Sequence, residues 1–185
     1  MKIFFIRHGE SEANARRIIG TAKTPLTEMG VLQAKYAGLQ IDTPASETVI
    51  IASPFTRAQQ TAQYVAETHK PGATIYTEPE IRERSFGNLN KHASFDLREI
   101  PGYVDKSGKL SRDWTPPGGE SIDDVAVRAY PAVISWVEKH PNKNLVFVSH
   151  GHTIRALAGI FLGGWEKTNA LKNGEVLQFA APSPR

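Results

Sequence analysis

The chain has 185 residues, 22 of them Lys or Arg and 19 Asp or Glu, for a net charge of +3; 40% are hydrophobic and none is cysteine. That length suits one substantial domain spanning 1–185, and the near balance of charge leaves no basic footprint for nucleic acid. Without cysteine there is no disulfide framework and no thiolate nucleophile or ligand. This composition fits a cytoplasmic protein. The apolar run before Arg7 is too short for a signal-peptide core, and no apolar stretch is long enough to cross a bilayer, so no membrane partner is expected. No heptad repeat or long apolar strand decides the oligomeric state.

In chain order, residues 2–6 (KIFFI) read as a strand buried on both faces. Thr27 can cap a helix carrying Met29, Leu32, Tyr36 and Leu39 at helical spacing, the expected core face. Residues 48–52 (TVIIA) form a second strand. Ser53-Pro54 then reads as an N-cap followed by proline at the first helical position. That helix shows Ala58, Ala62 and Val65 on one side and ends before Pro71-Gly72. Residues 73–77 (ATIYT) look like an edge strand. Residues 84–119 lose the rhythm: they are rich in Gly, Pro and charge, with isolated Phe86, Phe95, Tyr103 and Trp114. A stretch this long without periodicity reads as an inserted lid, with one short helix around 94–100. Ser121 caps the next helix, with Asp123 and Asp124 in its first turn and Val125, Ala129, Val133 and Trp136-Val137 facing the core. Residues 145–149 (LVFVS) form another buried strand, followed from near His152 by a helix carrying Ile154, Leu157, Ala158 and Phe161. Residues 175–180 (EVLQFA) close the chain as a second edge strand. Strands alternating with helices predict an α/β fold of three layers, a mainly parallel sheet covered on both faces.

The chemistry-bearing residues gather where strands end. Arg7-His8-Gly9-Glu10 follows the first strand directly, and ligands of open α/β sheets bind at that carboxyl edge. A guanidinium beside an imidazole suits phosphoryl chemistry, the Arg binding the anion and the His attacking it. Alone, the motif reads equally well as a strand cap. Arg57 falls in the first turn of its helix, where the dipole disfavours a cation unless both face an anion. Ser149-His150-Gly151-His152 repeats the strand-then-His-Gly pattern; a core histidine or a His-x-His zinc site competes with a catalytic reading there. Glu83, between Arg82 and Arg84, is either a solvated charge or a carboxyl able to protonate a leaving alkoxide.

Assembled in order, these pieces resemble the histidine phosphatase superfamily, the phosphoglycerate-mutase-like proteins. The resemblance runs through Arg7-His8-Gly9-Glu10-Ser11 with Asn14, Pro25-Leu26-Thr27 with Gly30, and Ser53-Pro54 with Arg57-Ala58 and Thr61-Ala62. It continues through Glu83 with Phe86-Gly87, Pro117-Gly118-Gly119-Glu120-Ser121, and Ser149-His150-Gly151 with Arg155. It implies that His8 attacks phosphorus and becomes a phosphohistidine. Arg7, Arg57 and His150 then bind the phosphoryl oxygens, with hydrogen bonds from Asn14 and the Gly151 N–H. Glu83 would protonate the leaving group and later activate water. Two guanidiniums and a second imidazole would replace metal ions, so no metal and no other cofactor is expected. His8 must attack unprotonated, with a backbone carbonyl near Gly9 holding its other nitrogen.

Glu83-Arg84 with Phe86-Gly87-Asn88-Leu89 is similar to the same stretch of cofactor-dependent phosphoglycerate mutases. Two departures favour a phosphatase. The segment from Gly87 to Pro117 is short beside the base-rich insertion of such mutases, and His152 stands where they carry Asn. Asn90-Lys91-His92 also differs from the acidic residue and glycine of many related phosphatases. The expected activity is hydrolysis of a small phosphorylated metabolite, with a phosphoprotein as a second substrate class. A mutase-type phosphotransferase is the alternative, and a non-catalytic phospho-ligand binder a third reading. Lys91, His92, Arg98, Lys106, Lys109 and Arg112 are candidates to meet further negative charge, or form a solvated loop.

Overall fold

A computed structural model describes residues 1–91, 101–104, 111–112 and 114–182. Five strands form one sheet: β1 (Lys2–Arg7), β2 (Thr48–Ala52), β3 (Ile75–Thr77), β4 (Asn144–Ser149) and β5 (Val176–Ala180), in the order β3-β2-β4-β1-β5. All neighbours are parallel except β5, which runs antiparallel to β1 at the edge. The helices are α1 (Glu12–Ala15), α2 (Glu28–Leu39), α3 (Thr56–His69), α4 (Ile122–Lys139) and α5 (Gly151–Leu162).

The strand alternation sorts the helices between faces. Ile3 and Phe5 of β1, with Leu145 and Phe147 of β4, pack with Ala129 and Val133 of α4 and Ile154 and Leu157 of α5. Phe4 and Ile6, with Val146 and Val148, pack with Ala37 of α2 and Ala58, Ala62 and Val65 of α3. The chain therefore leaves β1 towards one face and β4 towards the other. Because β1 and β4 are neighbours, their carboxyl ends form the crevice at the point where the winding reverses.

α4 follows the sequence closely. Ser121 and Asp124 form a reciprocal capping box, and Val125, Ala129, Val133 and Val137 are buried. Trp136 is only partly buried and donates Nε1–H to Glu78 at 2.9 Å.

Two expectations are corrected. Thr27 does cap α2, but Met29, Leu32, Tyr36 and Leu39 are 53%, 61%, 65% and 70% exposed. The buried face is Gly30, Ala34, Ala37 and Gly38. The reason is close approach: a Cβ on Gly38 would meet Val65 O of α3 at 2.8 Å, so the interface admits only small residues. Ser53-Pro54 is not the cap of α3 either. The helix begins at Thr56 with Phe55 as N-cap and no capping side chain. The Ser53 hydroxyl is instead held by His150 Nε2 at 2.7 Å.

Within 84–119, the expected helix at 94–100 lies outside the described residues, as do Phe95, His92, Arg98, Lys106, Lys109 and the side chain of Lys91. Phe86 and Tyr103 are buried, and Arg112 pairs with Asp123 of α4 at 2.8 Å. Among the described residues no helix is long and apolar enough to cross a membrane.

Candidate active site

Parallel register brings the two His-Gly motifs together. Arg7 of β1 lies opposite Ser149 of β4, so the next residues, His8 and His150, leave adjacent strands side by side. His8 N–H donates to Ser149 O at 2.9 Å, and the rings meet edge to face with centroids 5.1 Å apart. Gly9 lets the chain turn sharply here: a Cβ at Gly9 would sit 2.1 Å from Gly30 O, and one at Gly30 would sit 2.0 Å from Glu10 O. The start of α2 thus braces the turn that carries His8.

The His8 tautomer follows from its partners. Nδ1 lies 2.7 Å from Gly9 O and must donate to it. Nε2 accepts from Arg57 Nε at 3.1 Å, so it is the unprotonated nitrogen. Burial, then the Arg57 and Arg7 charges, push the imidazole down to about 3. It is therefore neutral at physiological pH, the state a nucleophile needs. Arg57 is itself anchored by an Nη1 bond to Thr21 O at 2.8 Å. Although it stands in the first turn of α3, it is buried and directed at His8 rather than solvated.

His150 is wholly buried. Burial first, and Arg57 next, hold its pKa well below the ordinary imidazole value. With the Ser53 hydroxyl donating to Nε2, the single ring proton sits on Nδ1, which is buried without a hydrogen-bond partner. Arg7 donates Nη1–H to Leu171 O, while its Nε is likewise buried and unpartnered. Burial is costly for both guanidiniums and lowers their pKa, Glu83 partly offsetting the effect; a guanidinium nonetheless stays charged. Orphaned buried donors on Arg7 and His150 beside the His8 lone pair mark a place where an anion belongs.

Asn14 lines the same cavity from α1. Its Oδ1 accepts from Ser11 N, Ser11 Oγ and Asn173 Nδ2, which leaves its amide N–H groups for a ligand. Gly151 is the first residue of α5, where N–H groups have no intrahelical acceptor. Glu83 reaches the cavity from the turn after β3, with Oε1 accepting from Arg84 N at 2.9 Å and Oε2 3.7 Å from His152 Nδ1. Burial pushes this carboxyl up. The contact and charge of His152, then the His150 charge and the Arg84 N–H, outweigh burial and hold it well below the usual carboxylate range.

The cavity has a volume of about 700 Å³. Arg7, His8, Asn14, Arg57, Glu83 and Gly151 all line it, as do Phe55, Arg84, Phe86, Tyr103 and His152. Arg112 does not reach it. Among the described residues no group of three His, Cys, Asp or Glu is placed to hold a metal ion, and His150 is turned to Ser53 rather than paired with His152.

Several contributors escaped sequence reading. Thr61 Oγ1 accepts from Gly9 N at 3.1 Å, and Asn173 Nδ2 donates to His8 O at 3.1 Å. Thr61 belongs to the stretch that carries the resemblance, but nothing local marks its contact with Gly9 or the role of Asn173; both arise from packing across 52 and 165 residues.

A neutral imidazole beside the buried Arg57, the half-buried Arg7 and a second imidazole, at the switch point of a parallel sheet, defines an anion-handling α/β enzyme. The family model of the histidine phosphatase superfamily, branch 1, matches residues 3–176, and the chain belongs to that family. It is 34% identical over 168 residues to the probable phosphoglycerate mutase GpmB of Photorhabdus laumondii subsp. laumondii, covering 88% of this chain and 75% of that one. It is 30% identical over 161 residues to the 2,3-bisphosphoglycerate-dependent phosphoglycerate mutase of Brucella abortus, covering 84% and 78%. Among solved structures, it resembles YhfR of Bacillus stearothermophilus with a TM-score of 0.82 at 26% identity over 98% of this chain and 92% of that one. It resembles the mycobacterial glucosyl-3-phosphoglycerate phosphatase in complex with VO3 with a TM-score of 0.81 at 27% identity over 97% and 92%.

Proposed function

We propose that this protein hydrolyses phosphomonoesters of small metabolites through a phosphohistidine on His8, without a metal ion. The observation that carries this reading is the His8 arrangement: Nδ1 committed to Gly9 O, and Nε2 unprotonated beside Arg57. Arg57 turns its N–H from Nε2 to the phosphoryl oxygens, and the freed Nε2 attacks phosphorus as the ester P–O bond breaks. Arg7, Arg57 and the Nδ1–H of His150 meet the charge of the transferring group, with Asn14 and the Gly151 N–H as further donors. Glu83 gives its proton to the leaving oxygen. The resulting carboxylate then accepts a proton from the water that cleaves the phosphorus–nitrogen bond, which restores free His8 and releases inorganic phosphate.

A cavity of about 700 Å³ accommodates a metabolite-sized ligand. The glucosyl-3-phosphoglycerate phosphatase among the structural relatives supports that substrate class. A mutase reading has separate support in the names of the 34% and 30% identical relatives. A mutase must shield its phosphoenzyme from water, and the short 87–117 segment argues for hydrolysis.

The test is hydrolysis of p-nitrophenyl phosphate in excess EDTA by wild type and His8→Ala, followed by a phosphorylated-metabolite panel. Turnover that resists EDTA and vanishes in the variant supports the proposal. Turnover retained by His8→Ala overturns it. Transfer between 3-phosphoglycerate and a bisphosphate that outpaces hydrolysis favours the mutase.

A further inference from the structure

A phosphatase donor must enter the cycle protonated, yet Glu83 is surrounded by guanidiniums and imidazoles on several sides. His150 and His152 approach it from the start of α5, Arg7 and His8 from the end of β1, and Arg57 from α3, while Arg84 follows it in the chain. A lone carboxyl in such a field would be ionised when the substrate arrives. The structure places a second proton-carrying group against it.

His152 Nδ1 stands 3.7 Å from Glu83 Oε2, and the two side chains are only 17% and 15% exposed, so solvent screens the contact weakly. At 3.7 Å this is an ion-pair contact rather than a hydrogen bond, and Nδ1 has no hydrogen-bond partner. The opposite ring nitrogen, Nε2, is 3.2 Å from the Tyr103 hydroxyl. The edge of the ring also meets Phe86, with centroids 5.4 Å apart. The contact of Nε2 with Tyr103 holds the ring so that Nδ1 is the nitrogen that faces Glu83.

We infer that Glu83 shares its proton with His152, so that the leaving-group donor is a carboxyl–imidazole pair whose ring orientation is set by Tyr103. This rests on the reading of Glu83 as proton donor. His152 acts through Glu83 and is a positioning residue. The pair holds one proton between its two groups, and the carboxyl carries it as the neutral acid when the two close to hydrogen-bond distance, about 2.8 Å. Glu83 Oε2–H passes that proton to the ester oxygen as the P–O bond breaks. The water that cleaves the phosphoenzyme returns a proton to Glu83, and the pair is reset with no net change. An imidazole ordinarily titrates between pH 5 and 8 and a carboxyl near 4.

The sign of the effect follows from coupled titration. The last proton leaves two interacting sites at a pH no lower than either site alone would lose it. Removing His152 must then move the alkaline limb of kcat downwards. On an alkyl phosphomonoester such as glycerol 2-phosphate, His152→Asn is expected to lower that limb by about two pH units, the ordinary gap between imidazole and carboxyl. Tyr103→Phe is expected to lower it by a smaller step.

A second measurement is independent of turnover. Ring 1H–15N spectra of the full chain across pH should show the His152 midpoint moving when Glu83→Gln removes the carboxylate. A midpoint that stays fixed in Glu83→Gln, or a limb that stays fixed in His152→Asn, overturns the pair while leaving the phosphatase reading intact. A midpoint that moves in a wild type without phosphatase activity supports the pair and defeats the functional reading instead.

Discussion

Replacing Thr61 by Val removes one buried hydroxyl and tests how His8 is held. Thr61 is fully buried; its Oγ1 accepts from Gly9 N at 3.1 Å and donates to Arg57 O at 2.7 Å. Arg57 O keeps a helical acceptor role within α3, so its loss is small. Gly9 N–H has no such substitute and is left buried and unpaired, at a cost of about 1–3 kcal/mol. The expected destabilisation is about 2 kcal/mol, or a fall in Tm of about 4–8 °C for a chain of this size. Gly9 O is also the acceptor that fixes His8 Nδ1. If about 1.4 kcal/mol of the lost anchoring is felt at the imidazole, kcat on p-nitrophenyl phosphate falls about tenfold. Urea unfolding and steady-state kinetics on the same preparations read both numbers. Stability within about 0.5 kcal/mol of wild type, with unchanged kcat, would refute the view that Thr61 anchors the His8 turn.

Further outcomes follow from the same geometry. Glu83→Gln should slow hydrolysis of alkyl phosphates far more than of p-nitrophenyl phosphate, whose leaving group hardly needs a proton; equal losses on both would remove Glu83 as the acid. His8 stays neutral down to about pH 3 in the folded chain, whereas the unfolded chain binds that proton near pH 6.5, so stability is lost as pH falls through this window. At pH 5 the residue-8 contribution is about 2 kcal/mol, and His8→Gln should flatten the stability–pH curve by that amount; a parallel curve contradicts the burial argument. Gly30→Ala forces a Cβ to within 2.0 Å of Glu10 O and should cost several kcal/mol or prevent folding, readable by circular dichroism. Leu32→Gln, on the exposed face of α2, should change stability by less than about 0.5 kcal/mol; a loss near 3 kcal/mol would show that this face is covered.

The sheet was legible in the sequence because β1, β2 and β4 are short, β-branched or aromatic runs buried on both sides, a pattern few other elements share. α4 was legible because its cap, first-turn acids and apolar spacing all agree. α2 misled because periodicity reports which residues share a face, not which face is inward. Large apolar side chains repeat at helical spacing on one side and small residues on the other, and the backbone contact with α3 chose the small ones. Ser53-Pro54 misled for a related reason: a residue suited to capping was taken instead by His150, 97 positions away.

The site divides in the same way. Arg7, His8 and His150 stand where β1 and β4 end, and the parallel register of those strands brings them together, with Arg57 joining from the start of α3. Of the residues that hold them in place, Thr61 lies in a recognisable stretch, but its contact with Gly9 carries no local signal, and neither do Asn173, Thr21 or the Leu171 carbonyl. They are defined only by what packs against what, and the same holds for Tyr103 against His152.

The central claim is that His8 carries the phosphoryl group, and rapid quenching tests it most directly. Wild type mixed with a 32P-labelled phosphomonoester and stopped in alkali should show protein-bound label that is acid-labile, maps to the peptide containing His8, and decays at the turnover rate. His8→Ala should show none. Turnover by wild type with no label at His8, or equal label in His8→Ala, would contradict the account.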